Sequence, residues 1–110
     1  MLTNEIYKAW SGMKASEYKE FKGIRKESLR DNMTDIEVIL TELGEITTRD
    51  IAKKENPKGL KENLMVAKRG GTASKVAMDY YEQETGNKAI TSENAIGGRY
   101  TSDTKNLIGK

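Results

Sequence analysis

A single proline, Pro57, interrupts 110 residues whose apolar side chains recur at three- and four-residue intervals, and this combination commits the chain to α-helices. The firmest start signal is Thr34-Asp35-Ile36-Glu37, a capping box that predicts a helix from Asp35 with Ile36, Ile39, Leu40 and Leu43 inward and Gly44 at its end. Upstream, Leu2, Ile6, Ala9, Trp10 and Met13 share one helical face, with Gly12 near its close. Ser16 then caps a short helix that points Tyr18 and Phe21 inward and stops at Gly23. Residues 24–33 read as a connector or a short helix. Downstream, Thr47 or Thr48 opens a short helix with Ile51 and Ala52 inward, and Asn56-Pro57 ends it. The next helix carries Leu60, Leu64 and Ala67 and stops at Gly70-Gly71; Thr72 opens the last, with Ala73, Val76, Ala77 and Tyr80 inward and Gly86 closing it. Ala89-Ile90-Thr91 either pairs as a short strand or docks as an extended segment. The expected fold is mainly α: one compact domain of five or six short helices over residues 1–96, with a mobile tail over 97–110.

The core of such a bundle is thin. Leu, Ile, Val and Phe sum to 20 of 110 residues, just under the roughly 20% below which disorder becomes a concern. A net charge of only +2 argues against an unfolded chain, so Tyr, Met, Ala and Trp10 must supplement the aliphatics. The chain has no Cys and no His, which removes disulfides, thiol and imidazole catalysis and most zinc chemistry. Glu42, Glu45, Asp50, Glu82 and Glu84 lack a nucleophile or metal-loop context and read as solvated helix faces. Trp10, Tyr18, Phe21, Tyr80 and Tyr81 read as core more readily than as base-stacking groups, with Tyr81 and Tyr100 the more exposed. No apolar run approaches the ~18 residues of a membrane span, and no signal-peptide core precedes the first helix. The expectation is a cytoplasmic, non-enzymatic protein without cofactor or metal.

Charge is unevenly placed. Residues 58–78 hold five cations (Lys58, Lys61, Lys68, Arg69, Lys75) against Glu62, a local +4, whereas 34–57 hold three cations and six acids, −3. A helix break at Gly70-Gly71 would let backbone amides at Thr72 approach a phosphate, making Lys58, Lys61, Lys68, Arg69, Gly70, Gly71 and Lys75 a candidate nucleic-acid site. Lys68 and Arg69 equally suit an ordinary helix C-terminus. A helix-turn-helix alignment runs from Ile46 through a Glu55-Asn56-Pro57 turn into 58–68, with Lys58, Lys61 and Asn63 toward DNA. A plain helical hairpin fits the same pattern, given Pro57 and Gly59. The segment with Asp35, Glu37, Glu42, Glu45, Asp50 and Glu55 either presents an acidic surface to a basic partner, as a small phage inhibitor of a host defence component would, or is an amphipathic face.

Longer words carry a resemblance. Asn4-Glu5-Ile6-Tyr7-Lys8-Ala9-Trp10-Ser11-Gly12-Met13, Glu17-Tyr18-Lys19-Glu20-Phe21-Lys22-Gly23 and Leu29-Arg30-Asp31-Asn32-Met33-Thr34 resemble the shared block of DNA-damage-inducible protein D and related phage antirepressors. The likeness continues through Ala67-Lys68-Arg69-Gly70-Gly71 and Glu82-Gln83-Glu84-Thr85-Gly86 to Thr91-Ser92-Glu93-Asn94, so it spans roughly residues 3–96. It implies a non-catalytic regulator of the SOS response or of lysogeny, acting on a host DNA-metabolism protein or a repressor. In that family the block follows a BRO-type domain, which this sequence lacks, so the DNA binding of that domain does not carry over.

Overall fold

The computed structural model describes residues 2–92; the expected tail at 97–110, with Tyr100, lies outside them. Among the described residues the chain forms four helices and no strand: α1 (Leu2–Ser11), α2 (Ala15–Lys22), α3 (Asp35–Glu55) and α4 (Gly59–Thr85). A 3-10 turn, Arg30–Asn32, sits in the connector before α3. The class is as expected; the number and length of the helices are not.

The capping box works as read: Glu37 Oε1 accepts from the Thr34 N–H at 2.8 Å, and α3 begins at Asp35. Asn56, at φ 50, closes α3 in the left-handed conformation before Pro57. α2 starts ahead of Ser16. The Ala15 N–H donates to Asn4 Oδ1 of α1 at 2.9 Å and the Lys14 N–H to Glu17 Oε1 at 2.8 Å, so the first orphan donors are already satisfied. Gly23 ends α2 as expected, at φ 75.

The main correction concerns glycine. Neither Gly44 nor Gly70-Gly71 ends a helix: α3 runs through the first and α4 through the pair, with Thr47, Thr48 and Thr72 mid-helix. These glycines are buried where helices cross. α4 packs on both α1 and α3, and a Cβ at Gly71 would lie 2.6 Å from Ala9 Cβ and 2.7 Å from Ile6 O of α1. A Cβ at Gly70 would lie 2.8 Å from Thr48 N and 2.9 Å from Gly44 O of α3. Tertiary close approach has overridden a local stop signal. Ser74 completes the seam, its hydroxyl donating to Leu40 O at 2.5 Å.

Continuity of α3 and α4 also resets which side chains face inward. α4 buries Val66, Ala67, Gly70, Gly71, Ser74 and Met78, which turns Val76 and Tyr80 outward, contrary to expectation; Leu60 shares the line of Ala67 and Ser74 but is exposed in the first turn of the helix. α3 buries Glu37, Leu40, Thr41 and Gly44 and leaves Ile39 exposed, and on α2 Phe21 is exposed while Lys22 is buried. Tyr81, expected outside, packs against the core. That core is built on Tyr7, Trp10 and Tyr18, tilted or edge-on with ring centroids 5.8–6.3 Å apart. Ile24, Leu29 and Met33 of the connector close it on one side. Ala89 and Ile90 dock on it, but through a bend in the chain rather than as a strand or an extended segment.

Candidate functional site

The α4 face and the buried charge cluster beneath α2 are the two places where chemistry concentrates. On α4, an unbroken helix places Lys61, Lys68 and Lys75 at seven-residue intervals on one line, about 10.5 Å apart. All three are exposed, and Lys58 precedes the helix, its N–H donating to Glu62 Oε1 at 2.5 Å. The remaining residues of the expected phosphate site are placed differently. Arg69 forms a two-pronged pair with Glu55 across the α3–α4 turn, at 2.7 and 2.9 Å, and this contact lowers the Glu55 pKa. Lys75 pairs with Asp79 of the next turn at 2.7 Å. Gly70 and Gly71 are buried between helices, and no helix begins at Thr72, so the pair forms no anion cradle. A helix-turn-helix alignment likewise meets a 27-residue second helix, whose buried stripe is held by α1 and α3 together.

The charged cluster was invisible as a unit in the sequence. Lys22 of α2 and Glu37 of α3 form an ion pair at 2.7 Å with both side chains fully buried. Glu37 Oε1 accepts from Lys22 and from the Thr34 N–H, while Oε2 accepts from the Tyr18 hydroxyl. Lys22 also donates to Thr91 O at 2.8 Å and lies 5.9 Å from the Tyr18 ring centroid. One carboxylate and one ammonium therefore tie α2, the start of α3 and the segment after α4 together. Capping geometry revealed the Glu37 backbone contact but not its burial. Lys22, four residues after Tyr18 on α2, carries the same spacing as any solvated lysine.

Burial, reinforced by the Glu37 charge, holds the Tyr18 hydroxyl protonated far above its ordinary range, and burial raises Tyr7 as well. In the unfolded chain both phenols titrate near 10. Above that pH the unfolded state sheds protons that the folded state keeps, so stability falls as pH rises. Urea unfolding is expected to show a loss of about 1.4 kcal/mol per pH unit for each such phenol above about pH 10. Tyr18→Phe should make that decline shallower; an unchanged slope would contradict the placement of Tyr18.

The acidic segment does not act as one surface. Glu37 is buried, Glu45 pairs with Arg30 at 2.6 Å, Asp50 with Arg49 at 3.6 Å and Glu55 with Arg69, and the side chains of Asp35 and Glu42 stand exposed. Among the described residues no group of three or more acidic side chains is placed to hold a metal, and no helix is long and apolar enough to cross a membrane. Comparison of the chain with protein-family models, with curated proteins and with solved structures finds no match.

Proposed function

We propose that the protein is a non-enzymatic interaction module of the damage-inducible or antirepressor kind, which modulates a host DNA-metabolism or repressor protein. One observation carries this reading. Of the 17 Leu, Ile, Val and Phe residues within 2–92, six stand exposed: Leu2, Phe21, Ile39, Ile46, Leu60 and Val76. A chain this short of core formers leaves a third of them in water, joined by Met65 and Tyr80. Exposed apolar side chains set among charges are what protein-binding surfaces present. The test is capture from a lysate of DNA-damaged bacteria, comparing wild type with Met65→Glu. A recombinase, repressor or other DNA-metabolism protein retained by wild type and lost by the variant supports the reading; recovery of none overturns it.

The second reading, direct binding of nucleic acid, draws on the Lys61–Lys68–Lys75 line. Lys61→Ala and Lys68→Ala are each expected to reduce the slope of log affinity against log salt by about one. Arg69→Ala should change it less, because the variant also releases the Glu55 carboxylate. Absence of any DNA or RNA shift at low salt removes this reading.

A further inference from the structure

We infer that the protein self-assembles head to tail, the outer face of α3 on one copy seating on the outer face of α4 on the next. Each face pairs an apolar line with charge mainly of one sign, the exceptions being Arg49 at the far end of the α3 line and Asp79 at the far end of the α4 line. On α3, Ile39 and Ile46 are 58% and 44% exposed, one seven-residue step apart on the side away from the core. Asp35 and Glu42 flank them at the same spacing, and residues 35–48 contain no Lys or Arg. On α4, Met65 and Val76 are 60% and 63% exposed, flanked by Lys61, Lys68 and Lys75, and residues 63–78 contain no Asp or Glu.

The two charge ladders therefore have the same repeat, about 10.5 Å along the helix axis, and opposite sign. Packing α4 on α4, or α3 on α3, would set like charges against one another around the apolar line, which disfavours a two-fold dimer built on either helix alone. The mixed pairing satisfies both the charges and the apolar residues. The Lys75–Asp79 pair on the α4 face is exposed and holds Lys75 only weakly, leaving it available to a partner. Because α3 and α4 are two different surfaces of one molecule, each added copy presents a fresh face. The assembly grows as a chain unless its rotation closes a ring.

Light scattering and sedimentation of the purified 110-residue chain test this without reference to any host partner, so it stands or falls apart from the regulatory reading. Wild type at low salt should show mass rising with concentration beyond a dimer, or a closed ring, and added salt should shift it toward monomer. Ile46→Glu and Val76→Glu are both at exposed positions, and unchanged circular dichroism will establish that each folds. Each alone should weaken association about tenfold or more. Mixed in equal amounts they should form a one-to-one dimer, since Ile46→Glu retains a working α4 face and Val76→Glu a working α3 face. A wild type that is monomeric at every concentration overturns the proposal. So does a dimer abolished by Val76→Glu but untouched by Ile46→Glu, which would mean α4 pairs with itself, and so does a mixture that fails to associate.

Discussion

Glu37→Gln is expected to cost the fold about 3–5 kcal/mol, because it breaks a fully buried ion pair by removing the charge of one member. A domain of this size has on the order of 5–15 kcal/mol in total, so urea unfolding should move to very low midpoints. The carboxylate accepts three donors, from Lys22, Tyr18 and the Thr34 N–H, and no water reaches it. Lys22→Met alone should be costly for the converse reason, a carboxylate left buried without its cation. The double variant Lys22→Met/Glu37→Gln distinguishes a charge effect from lost packing. A glutamine amide accepts from the Thr34 N–H and donates to the Tyr18 oxygen, so Thr91 O loses its donor and the Tyr18 O–H its acceptor, but no charge is left buried. The double should therefore lose clearly less than the sum of the singles, with a coupling of about 1–3 kcal/mol. Additive losses would show that the two side chains do not form one unit. The same variants should release the segment after α4, since Lys22 ties it to α2; amide exchange around Ala89–Thr91 would report this.

That cluster marks the boundary of what sequence reading reaches in this protein. Local chemistry was legible: the capping box fixed the start of α3, Asn56-Pro57 its end, and Gly23 and Gly86 the ends of α2 and α4. Each of these signals is satisfied by residues within a turn of itself. Gly44, Gly70 and Gly71 were misread for the complementary reason. A glycine that ends a helix and a glycine that admits a neighbouring helix are the same letter, and only the partner distinguishes them. Once the breaks were misplaced, inward faces followed: Val76 and Tyr80 share a helical phase that is inward only if a new helix starts at Thr72. The cations of α4 were legible as a group, but Arg69 and Lys75 have acidic partners on another helix or the next turn. Lys22 and Glu37 lie 15 positions apart and meet only through the packing of α2 on the start of α3.

Gly70→Ala separates the two meanings of glycine by the sign of its effect. At an unconstrained helical position the change stabilises by roughly 0.5–1 kcal/mol, because alanine gives up less conformational freedom on folding. Here the new methyl would sit 1.8 Å from Thr48 Oγ1, 2.8 Å from Thr48 N and 2.9 Å from Gly44 O. The hydroxyl can rotate away, but the other two atoms belong to the α3 backbone, so α3 and α4 must separate along their contact. Overpacking of that kind costs about 1–3 kcal/mol and occasionally more, which exceeds the propensity gain. The expected net loss of about 1 kcal/mol corresponds to a fall in melting temperature on the order of 4–8 °C for a domain this small. Gly71→Ala should behave similarly, since it meets Ile6 O and Ile6 Cα at 2.7 and 3.1 Å. Gly44→Ala should be the mildest of the three, because its two closest neighbours, Ile6 Cγ2 at 2.7 Å and Ser74 Oγ at 3.0 Å, are side-chain atoms, and the nearest backbone atom, Gly70 O, is 3.7 Å away. Adding Thr48→Ala to Gly70→Ala should recover only part of the loss, as it removes the hydroxyl but not the backbone contacts. A Gly70→Ala protein more stable than wild type would mean that α3 and α4 do not cross at this point, and the continuous seam through Ser74 and Leu40 would have to be redrawn.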